Sequence, residues 1–418
     1  MGSVSVQIVI SGYYGFRNSG DEAVLKSILN SLAQQGEAAG IQIVPVVLSN
    51  DPEWTARMYN VRSVHRMKLG EIRALMKESD GLISGGGSLL QDATGPLTIP
   101  YYLGIIHIAQ WARKPVFIYA QGVGPVQKGF FFKWIRNVFR KSVYVSVRDQ
   151  ESAALLGRMG LDQSRIAVVA DPVMGLPLPD DVGSTTSPNS SSAHNYAGEV
   201  SGGTGHSSAE DDRIRVAVDS TAPTSSVSDE TNVQSVPLIG ISLRFWDKQR
   251  RELDGIAAAL QQLVRQRRVQ LRFLPFHLPE DEQASAYVIE RIGELDTSGS
   301  TISIAEQVVD PQQMLAEVSR CDLVLGMRLH SLIYAASQHV PLLGISYDPK
   351  IDQFLNRLAI EPSGTSESVQ PDRLLTHMLD VLDASVEWKR SKATYIAALK
   401  QDAAQPAQFI AHYFLEQR

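Results

Sequence analysis

Several basic side chains come directly after Val- and Ile-rich runs that predict β-strands in separate parts of the chain. These side chains are Arg148, Arg244, Arg328, His330 and Lys350. In open α/β sheets, ligands bind beyond the carboxyl ends of the strands, so we expect the five side chains to converge around one cleft. Charge-assisted hydrogen bonds of roughly 1.5–3 kcal/mol each would hold a small ligand there that carries more than one negative charge.

Structural roles compete with these functional ones. Arg148 precedes Asp149, which is suited to cap a helix and to pair with the guanidinium. A single histidine such as His330 is more often a packed side chain than a catalytic one. No cluster of His, Asp and Glu has the spacing of metal ligands, so we expect the cations themselves to neutralise the ligand and predict no metal site.

The first predicted strand leads into Ser11–Glu22, a glycine-containing segment that ends at the start of a predicted helix. Its spacing differs from the GxGxxG pattern of dinucleotide sites, and the Asp21 carboxylate would repel a phosphate. Asp21 therefore either complements the helix dipole or acts as a general base toward an acceptor hydroxyl. Asn18 and Asp21 are both candidate site residues.

Two further glycine-rich segments follow predicted strands. Gly85, Gly86 and Gly87 stand in succession, and Gln121 opens the second of these segments. Exposed backbone N–H groups there would suit an anion or a close-packed substrate, whereas a tight turn that needs positive φ explains the glycines equally well. These four residues are candidates for substrate binding.

Strand-like runs alternate with helical patterns, which is typical of a parallel sheet covered by helices on both faces. The predicted strands of the first half are Val6–Ile10, Ile43–Leu48, Gly81–Ser84, Val116–Ala120, Val143–Val147 and Ala167–Ala170. Those of the second half are Pro237–Leu243, Val269–Leu274, Asp322–Gly326 and Pro341–Ser346. We therefore predict an α/β protein of two Rossmann-like halves.

The composition changes sharply between the halves. Residues 183–235 contain 19 Ser and Thr among 53 residues and one aromatic side chain, Tyr196. Such a segment cannot bury enough apolar surface to offset its ordering entropy. We predict an N-terminal domain over residues 1–178, a Ser/Thr-rich disordered linker or insertion over 179–236, and a C-terminal domain with C-terminal helices over 237–418.

The composition of the whole chain excludes several classes of protein. A formal net charge of −6 lacks the positive field that nucleic-acid binding normally needs. Cys321 is the only cysteine and cannot form an internal disulfide, and the N-terminus lacks the pattern of a secretory signal. Residues Ala93–Ala112 contain no Asp, Glu, Lys or Arg, but prolines interrupt them, so we expect a buried loop and helix rather than a membrane span. These features predict a cytoplasmic protein with no nucleic-acid partner.

The motifs of the chain, taken in order, resemble those of the polysaccharide pyruvyl transferases of the CsaB type. The resemblance runs roughly over Val6–Met174 and Pro237–Leu358. It is carried by GYYGFRNSGDEA, SGGGSLLQD, AQGVGP, VSVRDQES, MRLHS and SYDPK. It implies two Rossmann-like domains in a GT-B-like arrangement with a cleft between them, the N-terminal domain on the acceptor side and the C-terminal domain on the donor side.

The resemblance also implies an activity. Enzymes of this family transfer pyruvate from phosphoenolpyruvate to a sugar of a cell-surface or extracellular polysaccharide, typically as a ketal that bridges two hydroxyls, so the partners would be phosphoenolpyruvate and a saccharide acceptor, with no separate cofactor. The cations agree with this donor, which carries a phosphate and a carboxylate.

Roles for individual residues follow from the same resemblance. Arg148, Arg328, His330 and Lys350 match family positions associated with donor binding and catalysis. His330 is the predicted proton donor or phosphate partner, and the other three would stabilise the anions as they develop. Asp21 would orient or deprotonate the acceptor.

The segment Lys128–Lys141 combines five basic residues with an aromatic face. It predicts an amphipathic helix packed on the sheet, with cations that extend toward solvent. The alternative is a surface helix that contacts anionic lipid, which would suit a lipid-linked acceptor and a peripheral location at the inner face of the membrane.

Two other classes of function fit the same pattern. A GT-B glycosyltransferase that uses a nucleotide sugar would share the architecture and the glycine-rich segments, although no acidic residue for a ribose is evident. A non-catalytic protein that binds an anionic saccharide would need the same cleft. The sequence does not distinguish the acceptor sugar, the linkage or the oligomeric state.

Overall fold

The computed structural model describes residues 4–92, 95, 97–179, 235–295, 299–306, 308 and 310–417. The predicted linker over residues 179–236 lies outside the described residues except at its two ends. The described chain forms two parallel sheets, one from each half, with helices on both faces of each sheet.

The first sheet has seven strands in the order β3-β2-β1-β4-β5-β6-β7. The strands are β1 (Val4–Ser11), β2 (Ile41–Ser49), β3 (Arg62–His65), β4 (Gly81–Gly85), β5 (Val116–Gln121), β6 (Tyr144–Val147) and β7 (Ala167–Val168). Its helices are α1 (Ser19–Ala38), α2 (Pro52–Tyr59), α3 (Leu69–Glu78), α4 (Thr98–Trp111), α5 (Phe130–Phe139) and α6 (Gln150–Arg158), with short 3₁₀ helices at Gln163–Arg165 and Pro172–Gly175.

The second sheet has six strands in the order β10-β9-β8-β11-β12-β13. The strands are β8 (Leu238–Ser242), β9 (Gln270–Phe273), β10 (Thr301–Ile304), β11 (Leu323–Gly326), β12 (Leu342–Ser346) and β13 (Gly364–Thr365). The helices are α7 (Arg251–Gln266), α8 (Glu280–Ile292), α9 (Pro311–Ser319), α10 (Leu329–Ser337), α11 (Pro349–Arg357), α12 (Pro371–Asp383) and α13 (Ser385–Glu416).

The central strands are apolar on both faces because helices cover both sides of each sheet. Ile8, Val9 and Ile10 of β1 are fully buried, although their side chains alternate between the two faces. Helix α1 buries the apolar stripe that its 3.6-residue period predicts. That stripe consists of Val24, Leu25, Ile28, Leu29 and Leu32. The α/β fold class and the two Rossmann-like halves are thus confirmed.

Three strands were not predicted from the sequence. β3, β10 and β13 are short and lie at or beside the sheet edges, with partly exposed side chains. An edge strand needs no continuous apolar run, because solvent covers part of it. The apolar pattern that identifies the central strands is therefore absent from these three.

The last helix crosses back to the first sheet. The ring of Phe409 in α13 stacks on Tyr144 of β6 with centroids 4.3 Å apart, and Tyr413 and Phe414 contact Phe117 of β5 at 5.3 and 5.7 Å. The predicted domain division at residues 179–236 stays a prediction, and the sequence did not indicate this crossing.

Helices α4 and α5 form part of the outer layer of the first half. Within Lys128–Lys141, helix α5 buries Phe131, Ile135 and Val138, while Phe130 is 65% exposed. The helix predicted within Ala93–Ala112 is α4, but Leu97 and Trp111 are 76% and 79% exposed. Residues 93, 94 and 96 of the predicted buried loop lie outside the described residues. In the part of the chain that the structure covers, every helix is too short or too polar to cross a bilayer. Contact of α5 with anionic lipid stays a prediction.

Candidate functional site

The segment between β1 and α1 is held in place by side chains at the helix start. Asn18 caps α1, because its side-chain oxygen accepts hydrogen bonds from the backbone N–H groups of Gly20 at 3.1 Å and Asp21 at 3.4 Å. The buried Glu22 carboxylate accepts from the backbone N–H of Gly15 at 2.9 Å and from the Tyr59 hydroxyl at 2.8 Å. Glu22 therefore shapes the loop, a role that the sequence pattern did not reveal.

The three successive glycines form a tight turn against α1. Gly86 and Gly87 have φ of +73° and +78°, and a Cβ on Gly86 would collide with the Val24 side chain. A Cβ on Gly87 would lie 2.8 Å from the Asp21 carboxylate, and one on Gly85 would collide with the Tyr119 carbonyl oxygen. Close packing accounts for all three glycines, and it brings the turn against Asp21.

Asp21 lies at this turn and is partly buried. Burial raises the pKa of its carboxyl to about 7, and the Arg148 guanidinium opposes the rise. A carboxyl group that titrates near neutrality can accept a proton from a hydroxyl at physiological pH. The raised pKa suits the general-base role of Asp21, which stays a prediction.

Arg148 and Lys350 converge on one hydroxyl from opposite halves of the protein. The Ser88 Oγ accepts from the Arg148 guanidinium at 2.8 Å and from the Lys350 Nζ at 3.0 Å. Arg148 also forms a buried ion pair with Asp171 at 2.7 Å. Two cations therefore contact one carboxylate and one neutral oxygen.

Lys350 is surrounded by groups of both signs. Burial lowers the pKa of its ammonium group, the Arg148 guanidinium lowers it further, and Asp348, Asp149 and Glu151 raise it. A bound anion would relieve the repulsion between the two cations. We call Ser88, Arg148, Asp171 and Lys350 the cation cluster.

His330 lies in the first turn of α10, which begins at Leu329, earlier than the predicted apolar run from Leu332. A Cβ added to Gly20 would lie 2.5 Å from its Nδ1, so the ring packs against the start of α1. Its Nε2 is buried without a hydrogen-bond partner among the described residues.

The electrostatic surroundings of His330 favour the neutral ring. Burial lowers its pKa, Asp171 opposes this effect, and Arg148 and Arg328 add to it. The neutral imidazole can accept a proton or a hydrogen bond but must gain a proton before it can donate as an acid. A negatively charged ligand would supply the field that protonates it.

Arg328 already has a carboxylate partner. Its Nε lies 3.1 and 3.0 Å from the two carboxylate oxygens of the fully buried Asp281, and a terminal nitrogen makes a further short contact with the same group. Asp281 also accepts from the backbone N–H groups of Phe276 and His277. Most of the guanidinium is therefore used within the second half, and bidentate donor binding by Arg328 stays a prediction.

Arg244 lies against two aromatic rings that also contact each other. Its guanidinium carbon is 4.8 Å from the centroid of the Tyr347 ring and 5.2 Å from that of Trp246, and its Nη1 donates to the Tyr347 hydroxyl at 2.9 Å. Its Nε is buried without a partner among the described residues. With Asn18 and Arg328 it lines a cavity of about 320 Å³.

A larger cavity of about 510 Å³ lies beside the cation cluster. It is lined by residues of both halves, including Arg148, Asp171, Lys350, Gln353 and Arg357. The basic side chains predicted to surround one cleft are therefore divided: Arg148 and Lys350 line the larger cavity, and Arg244 and Arg328 line the smaller one. His330 packs against the start of α1, and Gln121 is fully buried at the end of β5.

Asp171 and Ser88 were not singled out from the sequence, although both lie in segments that follow predicted strands. Ser88 follows the three glycines directly, which is the signal that could have identified it. Across the described ranges, no three His, Cys, Asp or Glu side chains are close enough together to hold a metal ion.

Comparison with solved structures defines the general fold class of the protein. A Listeria monocytogenes protein described as a UDP-N-acetylglucosamine 2-epimerase superposes with a TM-score of 0.61 at 13% identity, over 99% of this chain and 98% of that chain. The Neisseria meningitidis UDP-GlcNAc 2-epimerase bound to UDP-GlcNAc gives 0.58 at 11% identity, over 99% and 100%. A glycosyltransferase from Rickettsia africae gives 0.57 at 11%, over 100% of both chains. At these identities the likeness concerns the fold alone, and the fold is of the GT-B type.

The family is defined by sequence. The model of the polysaccharide pyruvyl transferase family matches residues 18–349, most of the chain, so the chain belongs to that family. The amylovoran biosynthesis protein AmsJ of Erwinia amylovora is 30% identical over 96 residues. That match spans 23% of this chain and 22% of AmsJ.

Proposed function

We propose that the protein transfers pyruvate from phosphoenolpyruvate to two hydroxyls of a saccharide destined for a cell-surface or extracellular polysaccharide. The observation that carries the proposal is the cation cluster, in which Arg148 and Lys350 from opposite halves share the Ser88 hydroxyl. A donor with a phosphate and a carboxylate supplies the negative charge that this cluster lacks. Family membership supports the same reaction.

In the proposed reaction the donor lies between the halves. Its methylene carbon gains a proton, and an acceptor hydroxyl attacks the adjacent cationic carbon and gives its own proton to Asp21. The bond from that carbon to the phosphate oxygen then breaks, and phosphate leaves. A second hydroxyl closes the ketal, and its proton leaves with phosphate or solvent. The products are one pyruvyl ketal and one inorganic phosphate.

His330 takes part by changing its protonation state. In the free protein it is neutral at pH 7, because burial lowers its pKa. Negative charge from the bound donor raises that pKa, so the imidazolium forms only when the donor is in place. It can then protonate the methylene carbon or neutralise the departing phosphate.

The direct test is incubation with phosphoenolpyruvate and a panel of saccharides. We expect release of inorganic phosphate that depends on the acceptor, together with a product heavier than the acceptor by one pyruvate less one water. Product without phosphate release, or consumption of a nucleotide sugar in place of phosphoenolpyruvate, would disprove the proposal.

Matched variants locate the donor site. Lys350→Met and Arg148→Met each remove one cation of the cluster, and we expect each to weaken phosphoenolpyruvate binding at least tenfold, because one charge-assisted hydrogen bond is worth roughly 1.5–3 kcal/mol. Lys77→Met, which changes an exposed lysine of α3, is the control and should bind like the wild type.

A further inference from the structure

Buried polar atoms without partners collect at the carboxyl edge of the first sheet. They are the Oγ of Ser11 in β1, the Oγ of Ser84 in β4, both amide atoms of Gln121 in β5, and one terminal nitrogen of Arg66, which follows β3. None of these atoms has a hydrogen-bond partner within the described ranges. Most buried polar groups in proteins are hydrogen-bonded, so such a concentration at one sheet edge indicates a place for a polar ligand.

The two serines face the same side of the sheet. Ser11 and Ser84 are register partners in neighbouring parallel strands, so their side chains point to one face. Val9 and Leu82, two residues earlier in each strand, pack in the apolar cluster that contains Tyr102 of α4. Because side chains alternate along a strand, the serine hydroxyls also face the α4 side.

Arg66 adds a cation without a counter-charge on this side of the sheet. The residue is 8% exposed, and no Asp or Glu carboxylate of the described chain lies within 4 Å of its guanidinium. Its Nη2 donates to the Tyr102 hydroxyl at 3.4 Å, and the guanidinium lies 4.3 Å from the Tyr101 ring centroid. Cation–π contacts offset only part of the cost of burying a charge, so this guanidinium is able to pair with an anion as well.

Aromatic rings beside Arg66 remain open to solvent. Tyr13 and Phe16 stack in parallel with centroids 3.9 Å apart and are 40% and 37% exposed. The Arg66 guanidinium is 5.9 and 5.2 Å from their centroids. Exposed aromatic faces next to polar groups suit a sugar ring, which presents C–H groups on its faces and hydroxyls at its edge.

This edge adjoins the proposed reaction centre. The glycine turn that follows Ser84 contacts Asp21 through Gly87. Gly122, which follows Gln121, lies so close to the cation cluster that an added Cβ would be 2.9 Å from the Ser88 Oγ. A sugar bound at the edge would therefore have hydroxyls within reach of the candidate base.

We infer that this edge is the acceptor subsite and that it takes a saccharide carrying an anionic group, a phosphate or a carboxylate, bound by Arg66. Ser11, Ser84 and Gln121 bind hydroxyls of the same saccharide. The inference rests on the proposed function, and it names the class of acceptor for that reaction.

Calorimetric binding without phosphoenolpyruvate tests the inference separately from the reaction. The probes are a sugar 1-diphosphate, a uronic acid methyl glycoside and a neutral methyl glycoside. We expect one anionic probe to bind the wild type at least tenfold more tightly than the neutral probe, and the identity of that probe distinguishes phosphate from carboxylate recognition. Equal affinity for anionic and neutral probes, or no binding of either anionic probe, would overturn the inference.

Substitutions of Arg66 and Arg62 test whether Arg66 causes the preference for the anionic probe. Arg66→Met should reduce affinity for the preferred anionic probe to that for the neutral probe and leave the neutral probe unaffected, whereas Arg62→Met, an exposed arginine of β3, should change neither. An Arg66→Met protein that keeps its anion preference would overturn the assignment.

A second variant and a separate donor measurement complete the test. Gln121→Glu introduces a carboxylate of nearly the same shape. It should weaken binding of the anionic probe at least tenfold and leave binding of the neutral probe unchanged. An unchanged preference for the anionic probe would contradict the subsite even if Arg66→Met fails to fold. Far-UV circular dichroism and the midpoint of thermal unfolding serve as the folding control for every variant. Charge-selective saccharide binding without phosphate release would retain the subsite and disprove the proposed reaction.

Discussion

At the scale of single residues, the protonation state of Asp21 should govern the rate. Burial raises the pKa of this carboxyl to about 7, and only the deprotonated form can act as a base. We expect kcat/KM, which reports groups of the free protein, to rise with pH and to level off above about pH 7. Asp21→Asn should lose roughly 10²–10⁴ in kcat and show no such rise. Steady-state phosphate release across pH 5.5–8.5 measures both effects, and an Asn variant with the wild-type profile would exclude Asp21 as the base.

The same titration affects stability with a defined sign. The pKa of Asp21 is higher in the folded protein than the usual value of about 3.9, so the folded state binds the proton more tightly than the unfolded state. Its stabilising contribution is complete below about pH 4 and is lost as the pH rises through about 7. Asp21→Asn stays neutral, so the stability of the variant relative to wild type should increase from pH 4 to pH 8 in urea titrations. A relative stability that does not change with pH would contradict the raised pKa.

His330 should take up a proton when an anion binds. Its pKa is lowered in the free protein by burial, and a bound donor would raise it. Calorimetry of phosphoenolpyruvate binding at pH 7 in two buffers of different ionisation enthalpy should report proton uptake that His330→Gln reduces. Identical uptake in the variant would assign the proton to the donor itself. His330→Ala should abolish turnover while the fold is kept.

At the scale of elements, the glycine turn between β4 and α4 should be intolerant of side chains. Gly86→Ala places a Cβ in a positive-φ conformation and against Val24, so it should cost at least about 2 kcal/mol, of which roughly 1–2 comes from the backbone alone. Gly104→Ala is the matched control, because this glycine lies inside α4 with open space around it. The Gly104→Ala substitution should stabilise the folded protein by roughly 0.5–1 kcal/mol. Chemical denaturation of both variants would check the contrast.

The helices and strands differ in how well the sequence alone predicts them. Central strands and helix α1 were predictable because their apolar periodicity follows from burial within one element. The Arg328–Asp281 pair was not, because its partners are 47 residues apart, one at the start of α10 and one in α8, and meet only in the folded chain. Arg66 was missed for a related reason: the aromatic rings around it come from the segment between β1 and α1 and from α4. A lone arginine after a short edge strand carries no local signal.

At the scale of the whole molecule, the two halves meet through polar contacts as well as through the cation cluster. Arg357 of α11 donates to the Val169 carbonyl at 2.9 Å and pairs with Asp402 of α13. The convergence of both halves on one region could be anticipated from strand-end residues, because parallel strands present their carboxyl ends at the same edge. The hydrogen-bond and ion-pair partners inside that region could not be anticipated from the sequence, since they depend on how the two halves pack together.

Anion binding at the cation cluster should therefore stabilise the protein as a whole. At a phosphoenolpyruvate concentration of 100 times its Kd, the gain is about 2.7 kcal/mol by mass action. Thermal unfolding should show an upward shift for the wild type that Lys350→Met largely loses, with Lys77→Met as the control. A shift that is equal in wild type and Lys350→Met would remove this lysine from the donor site.

The crossing of α13 to the first sheet has a consequence for biosynthesis. Phe117 and Tyr144 are translated long before their covering rings, Phe409 and Phe414. The nascent N-terminal half therefore exposes an uncovered aromatic surface until α13 has been synthesised. Emergence of α13 from the ribosome, rather than emergence of the first half, is the event that allows this surface to close.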